Sequence, residues 1–502
     1  MSAELTVWVL YVVFTVFEVL ALSIRSTKMV RISLSAVLIL MLSVVHTALL
    51  LQEPLAFGIP LFIVGIYRVI NILRFSTGRM HDSYLYKSVG RTSMILGLYQ
   101  FILGALSLIV PALPFRGVGY MYGFTALLTV IYVAVSRSFI KTLQSAKIVI
   151  DDTKQSKLTQ PSVTVAIPAR NETTELQSCI ESVIASSYQK LEILVLDDCS
   201  HDTTSDIIKK FAHDGVRFIQ GDEPGDTWLA KNAAYERLLR EANGELVLFC
   251  GVDVRFTKDT IAQLVAYKTQ QNLAMISVLP KKDNATKQQS MVQFARYMWE
   301  LVIPRKIINR PPVLSTVLLA DKSALLKLGG FSSVKRMIVP EAYFAKQLQK
   351  TGGYRFIISD QHANVCSTKS RKQQMNTAVR IRYPQLRKRP ENVLGVSIVL
   401  ISLFLGPLGI VIFGYYANQT PLLVSGIVLV VLQLYIYSML ARKTGQAFIV
   451  RIVLYALTVP VVDLCMMHYS MFAYEFGTVS WKERNVCLPV MHVTPSLPKL
   501  AD

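Results

Sequence analysis

Three places in this sequence gather the side chains best suited to chemistry. Asp197-Asp198 close an apolar run at 191–196, Asp253 follows another at 246–249, and Asn171 and Glu172 follow a third at 163–167. Between these runs apolar residues recur at helical spacing, at 176–185, 204–212 and 231–242. Strands that alternate with helices imply right-handed crossovers and a parallel sheet. Ligands of such sheets bind beyond the carboxyl ends of the strands, which is where these groups fall. Carboxylates there can hold a divalent cation or take a proton from a hydroxyl. Each also has a plainer role. A strand-end Asp caps the following turn, Asn171 and Glu172 mark a helix start, and Lys231 suits a solvated helix face. No Gly-x-Gly-x-x-Gly follows the first run, which disfavours a dinucleotide site.

The elements that must position these residues sit in an unusual chain. Its 502 residues are 52% hydrophobic and 17% charged, against about a quarter charged in ordinary soluble domains. Five apolar stretches, 6–24, 32–51, 55–73, 93–111 and 120–136, approach the ~20 residues a helix needs to cross a bilayer. The first has no basic flank or small-residue cleavage site and reads as an anchor. Arg68 interrupts the third, and its side chain is expected to snorkel to the interface. Basic residues alternate along the connections. Arg25, Lys28 and Arg31 follow the first stretch, and 52–58 has no Lys or Arg. Arg74, Arg79, Lys87 and Arg91 follow the third, Arg116 alone separates the fourth from the fifth, and Arg137, Lys141 and Lys147 follow the fifth. The excess of positive charge inside places the N-terminus outside and 137–392 in the cytosol. The net charge of +20 is then that of cytoplasmic loops. No zinc, RNP or helix-turn-helix pattern points to nucleic acid. Cysteines 179, 199, 250, 366, 465 and 487 form no CxxC pair, so neither a structural zinc site nor a disulfide framework is expected.

Apolar character returns at 393–416, 422–440 and 448–476. The last stretch carries Arg451, Asp463, His468 and Glu475 around Pro460. Ionisable groups at membrane depth face protein or a polar cavity. The expectation is therefore two crossings and an interfacial segment, leaving Lys482 and Arg484 inside; three crossings would put them outside. The segment 293–303, with Phe294, Met298, Trp299, Leu301 and Val302, reads as an interfacial or a core helix. Arg380, Arg382 and Arg387 precede the sixth stretch, placed to grip a diphosphate by bidentate hydrogen bonds or to meet anionic lipid. The division expected is 1–137 transmembrane, 138–160 linker, 161–391 soluble, 392–480 transmembrane and 481–502 tail.

Within the soluble part an ordered series of motifs resembles family-2 glycosyltransferases of GT-A type. Val165-Ala-Ile-Pro-Ala-Arg-Asn-Glu172 looks like the family's opening strand. Leu194-Val-Leu-Asp-Asp-Cys-Ser-His-Asp202 is similar to its DDGSxD hallmark, and Trp228-Leu-Ala-Lys-Asn-Ala-Ala234 to its W-x-GK-xx-A element. Gly251-Val-Asp253 stands at the DxD position, Leu328-Gly-Gly-Phe331 resembles GGF, and Glu341-Ala-Tyr-Phe344 stands at ED-x-x. Arg380-Ile-Arg-Tyr383 loosely resembles R/Q-x-x-R-W, and Gly477-Thr-Val-Ser-Trp-Lys482 a tail of multi-span members. Ceramide glucosyltransferase-like and cellulose-synthase-like members are the nearest patterns. The resemblance implies an α/β GT-A (nucleotide-diphospho-sugar transferase-like) domain inserted between transmembrane helices in a multi-pass cell-membrane protein. It further implies an inverting transferase that passes a hexose from a nucleotide-diphospho sugar to a lipid or membrane-tethered glycan, with Mg²⁺ or Mn²⁺. Asn171, Glu172, Asp197, Asp198, Lys231, Arg380 and Arg382 would bind the donor, and Asp253 the metal. Glu341 would be the catalytic base. Gly251 and Ala342 replace the family's first DxD carboxylate and its base. One carboxylate plus phosphate oxygens still holds many such ions. The other reading is a catalytically degenerate binding or scaffold subunit of an envelope-glycan assembly.

Overall fold

The computed structural model describes residues 3–24, 26–52, 55–77, 82–109, 118–148, 160–225, 227–282, 291–303, 310–360, 363–444, 449–476, 479–482 and 484–486. Arg25, Arg79, Arg116, Cys487, residues 149–159 of the linker and most of the tail lie outside them. Five long helices come first: α1 (Ala3–Ser23), α2 (Lys28–Gln52), α3 (Leu55–Thr77), α4 (Asp82–Ile109) and α5 (Val118–Ser145). All are long and apolar enough to cross a membrane. The last runs eight residues into the stretch assigned to the linker. Arg68 does not snorkel. It is fully buried, donating from Nε to Glu18 at 3.0 Å and from Nη1 to Tyr11 at 2.8 Å and Gln100 at 2.7 Å. The helices are close enough to offer a carboxylate and two polar side chains, so Arg68 needs no water.

The soluble domain follows. Its elements are β1 (Val163–Ala169), α6 (Thr174–Ile184), β2 (Leu191–Asp197), α7 (Thr204–Lys210), β3 (Val216–Gln220), α8 (Ala230–Glu241), β4 (Leu246–Cys250), β5 (Val254–Arg255), α9 (Thr260–Gln270), β6 (Met275–Leu279), β7 (Lys281–Lys282) and α10 (Met291–Leu301). Then come β8 (Val317–Asp321), α11 (Lys322–Lys327), α12 (Glu341–Lys350), β9 (Tyr354–Ile358), β10 (Cys366–Ser367) and α13 (Arg371–Gln385). Seven strands form a mixed sheet in the order β3-β2-β1-β4-β8-β6-β9. β1, β2, β3 and β4 are parallel, β8 runs antiparallel to β4 and β6, and β9 is parallel to β6. β4 and β6 are buried along their whole length, and β4 reads accordingly as an unbroken apolar run. This is the mixed α/β sheet of the GT-A type. A small second sheet, β5-β10-β7, lies at the edge of the site.

Ser370 opens α13 with a reciprocal capping box with Gln373. Three apolar helices follow: α14 (Pro390–Tyr416), α15 (Thr420–Lys443) and α16 (Ile449–Glu475). α14 and α15 meet the length and apolarity of a span, and so does α16 by composition. Its contacts are different in kind. Near its start Tyr455 packs edge-on against Phe294 of α10, whose ring also stacks on Tyr437 near the end of α15. At its middle Asp463 accepts from Trp299 and pairs with Arg382 of α13 at 2.6 Å. At its end Tyr474 donates to the Arg380 carbonyl, and Glu475 pairs with Arg74 near the end of α3 at 2.5 Å. α10 is thus a buried helix, with Phe294 and Leu301 fully enclosed.

The Arg68–Glu18 pair gives a stability test. Replacing one partner of a buried pair costs roughly 3–5 kcal/mol, because the other charge is left unpaired. Arg68→Met is expected to lower the melting temperature sharply in detergent. Arg68→Met with Glu18→Gln should recover much of the loss, as read in a double-mutant thermal-unfolding cycle.

Candidate active site

The loops after β1 and β2 are laced together. Asn171 and Cys199 both adopt positive φ, 48° and 54°. Cys199 stands at the resemblance's glycine position, where a side chain in that region is strained. Ser200 Oγ accepts from the Asn171 amide at 3.0 Å, and Asn171 Oδ1 accepts from the His201 amide at 3.0 Å. Asp197 is held within its own turn, accepting from the Ser200 amide at 3.1 Å and from Ser205 Oγ. Its carboxylate fills the capping role.

Asp198 and Glu172 meet the tail. Ser480–Trp481 and Arg484–Asn485 pair as a two-stranded ribbon, β11 and β12. Arg484 donates to Asp198 at 2.7 Å, and Lys482 pairs with Glu172 at 2.8 Å. Arg170 holds the ribbon from below, donating to the Lys482 carbonyl at 3.0 Å and to the Asp198 and Cys199 carbonyls at 2.6 and 2.7 Å. Burial pushes the Asp198 carboxyl up, against Arg484. Burial likewise raises Glu172, against Lys482, with Asp253 adding to the rise. Glu172 therefore lies within electrostatic reach of Asp253.

A second cluster lies under the same rim. Lys231, in the first turn of α8, donates to Glu341 Oε1 at 2.5 Å. Glu341 is buried, and its Oε2 has no hydrogen-bond partner among the described residues. Two neighbours on α8 fix this meeting. Asn232 donates to the Val334, Lys335 and Met337 carbonyls. Glu236 accepts from the Phe331 amide at 2.8 Å. Gly330 has φ 58°, and a Cβ there would lie 2.7 Å from Glu236 Oε2. This is why the segment needs its second glycine. Asp253, Gln293, Arg296, Tyr297, Ser367 and Lys369 line an adjoining cavity. Burial lowers the Lys231 ammonium, Glu341 opposes, and Arg380 and Arg296 add to the fall. Burial pushes Lys369 down to about 8, Asp253 opposes, and Arg296, Arg380 and Lys231 add to the fall. Arg380 also lies 5.5 Å from the Trp481 ring centre, tying the cluster to the tail.

The structure thus gathers Glu172, Asp198, Asp253, Lys231, Glu341 and Arg380 on one side of the sheet. Arg382 is not among them: it is locked to Asp463 with its guanidinium over the Trp299 ring, 5.0 Å from the centre. Arg296 and Lys369 escaped the sequence reading. Nothing in their local pattern marks them, since each reaches the site only through the packing of α10 or the pairing of β10 with β5.

The residues present do not fit a cation held by carboxylates. Among the described residues no group of three or more His, Cys, Asp or Glu side chains could hold a metal. Asp253 Oδ2 already accepts from Ser367 Oγ at 3.2 Å and faces Lys369 Nζ at 4.0 Å. A dication on Asp253 would meet that ammonium at roughly 4 Å. At an effective dielectric near 20 the repulsion is about 8 kcal/mol, which offsets roughly half the attraction of a single carboxylate in direct contact at about 2.2 Å. A Cβ at Gly251 would lie 2.7 Å from Asp253 Oδ1, so a second acid there would require the Asp253 carboxylate to move.

Comparison with known proteins agrees with the motifs. Residues 164–333 match the model of glycosyl transferase family 2. The chain is 28% identical over 131 residues to 4,4'-diaponeurosporenoate glycosyltransferase of Staphylococcus haemolyticus, covering 26% of this chain and 34% of the relative. It is 32% identical over 99 residues to Glycosyltransferase AglE of Haloferax volcanii, covering 19% and 31%. It is 26% identical over 117 residues to a putative teichuronic acid biosynthesis glycosyltransferase, TuaG, of Bacillus subtilis, covering 23% and 45%. The matches span less than half the length of each relative. Among solved structures, a mannosyltransferase from Pyrobaculum calidifontis in complex with GDP-Man and Mn²⁺ aligns at TM-score 0.42 and 16% identity, covering 67% of this chain and 98% of its own.

Two outcomes follow from this geometry. Gly330→Ala should cost about 1–3 kcal/mol, from positive φ and the approach of Glu236, read as a fall in melting temperature. Arg484→Met should loosen the tail. Hydrogen exchange over 479–486, as the variant-to-wild-type ratio at pH 7.5, is expected to quicken about tenfold, matching ~1.4 kcal/mol for a charged hydrogen bond. A carboxyl with a raised folded pKa is stabilising when protonated, and loses that contribution as pH rises through the folded value. Removing Arg484 raises Asp198 further, so the ratio should shrink as pH falls toward 5.

Proposed function

We propose that this chain is a multi-pass membrane glycosyltransferase that takes a hexose from a nucleotide-diphospho sugar and passes it to a lipid or membrane-tethered glycan. The observation that carries this is Glu341. It is a buried carboxylate, one oxygen of which has no hydrogen-bond partner among the described residues, set beside the cation-rich cavity at Asp253, in a domain whose base is packed on apolar helices. Asp198, Asn171 and Glu172 mark the nucleotide end, with Lys482 and Arg484 beside them. Lys231 and Arg380 face the diphosphate. Glu341 takes the proton of the acceptor hydroxyl as that oxygen attacks the anomeric carbon. A single base opposite the leaving group gives inversion.

Seven helices, α1–α5, α14 and α15, cross the membrane in this proposal, and α16 lies along the interface. Both ends of α16 support this. One packs beside the end of α15 and the other beside the end of α3, and its length in between is covered by α10 and α13. By the basic residues of the connections, that face is the cytosolic one. The tail then lies on the same side as the domain whose carboxylates it meets.

A second reading is a donor-binding subunit without turnover. Ala342 at the family's base position and the Lys231–Glu341 pair favour it, since a paired carboxylate is a weaker base. The two part in one experiment. Purified protein with acceptor lipid extract is given UDP-glucose and GDP-mannose in turn, and the released nucleoside diphosphate is measured. The enzyme reading expects release, with Glu341→Gln lowering kcat about 10²-fold or more. Saturable donor binding with no release, wild type and variant alike, supports the second reading and ends the first.

A further inference from the structure

The charge on this cavity is lopsided. Arg296 and Lys369 line it with Asp253, Lys231 and Arg380 lie within electrostatic reach of both, and the carboxylates acting on these four among the described residues include Asp253 and Glu341. Glu341 is engaged by Lys231, and Asp253 by Ser367 and Lys369. The nearby Glu172 is taken by Lys482. Positive charge enclosed to this degree calls for an anion. The four cations come from four elements: α8, α10, the turn after β10, and α13. They converge where Asp253 stands alone, because the position two residues earlier is a glycine whose side-chain space the Asp253 carboxylate fills.

We propose that in this chain the Lys231–Arg296–Lys369–Arg380 cluster takes the donor's diphosphate in place of a divalent cation, so that nucleotide binding and leaving-group departure need no metal. The proposal rests on the donor-site reading above. In the transfer, the bond between the anomeric carbon and the diphosphate oxygen breaks, and its electron pair leaves with the nucleoside diphosphate. The acceptor oxygen forms the new bond to that carbon, and its proton passes to Glu341. The negative charge gained by the leaving group falls on fixed ammonium and guanidinium groups, already positioned and partly desolvated. Arg296 and Arg380 have the planar donor fork suited to phosphate oxygens, and the two lysines act as point charges. Lys369 performs at Asp253 the neutralising task that a metal performs between paired carboxylates.

The test uses the full chain in detergent or nanodiscs, with UDP and GDP as probes, followed by calorimetry. Affinity for whichever nucleotide binds is expected to change less than tenfold between EDTA and excess Mn²⁺ or Mg²⁺. In EDTA, Lys369→Met and Arg296→Met should each weaken binding about tenfold or more, the loss of one charge-assisted contact. Lys369→Arg should keep most of it. Asp253→Asn separates the two mechanisms even if the lysine variants fail to fold. The cation cluster predicts unchanged or tighter binding when that negative charge goes, and a metal site predicts its loss. Binding that appears only with Mn²⁺ or Mg²⁺, and that Asp253→Asn abolishes, overturns the inference and leaves the donor site standing. If neither nucleotide binds under any condition, with the protein folded, the donor-site reading falls and takes the inference with it.

Discussion

Glu341 reaches Lys231 only because α8 carries two further side chains that grip the segment leading to α12. Asn232 satisfies three backbone carbonyls of that segment, and Glu236 accepts its amides. The constraint is geometric before it is electrostatic. A carboxylate one position ahead of the family's usual place is turned inward by the way its helix starts. Pro340 enters, Glu341 begins α12, and Ala342 packs partly buried beside it. The pair at 2.5 Å then locks α8 to α12 through two residues 110 positions apart. The site's acid and one of its cations are therefore held by the same contact.

Buried charge also joins the soluble domain to the apolar helices. Arg382 pairs with Asp463, and Tyr383 and Arg74 both meet Glu475. Arg310 pairs with Glu300 on α10. Such pairs gain little net stability over well-packed apolar groups, but losing one partner is costly. They also fix register. α13 cannot slide along α16 without exposing Arg382 or Asp463 to a partnerless interior. The domain is thus held at a set height against the helices, with its cation-rich cavity just above α10 and α13.

Much of the framework could be read from the chain. The parallel strands announced themselves as apolar runs ending on Asp197-Asp198 and near Asp253, because buried parallel strands leave no polar alternation. The long apolar stretches became helices, and the ionisable residues of 448–476 marked a helix that faces protein. What misled was local context. Arg68 sat near a predicted interface and was expected to reach water, yet Glu18, fifty residues earlier, meets it inside. Arg382 shared a basic stretch with Arg380, but two positions along a helix point about 200° apart, which sends the two to different neighbours.

The sequence alone determined the order of motifs and the loss of two acids, at Gly251 and Ala342. Those are covalent facts, and no folding alters them. Only the tertiary structure decided what compensates. Lys369 meets Asp253 because β10 pairs with β5, and Arg296 arrives because α10 packs beneath the sheet. Arg484 meets Asp198 because the chain returns to the site after α16. Each of these is a contact between residues far apart in the chain. Local propensity carries no trace of such contacts, since they form only when burial of apolar surface brings the elements together.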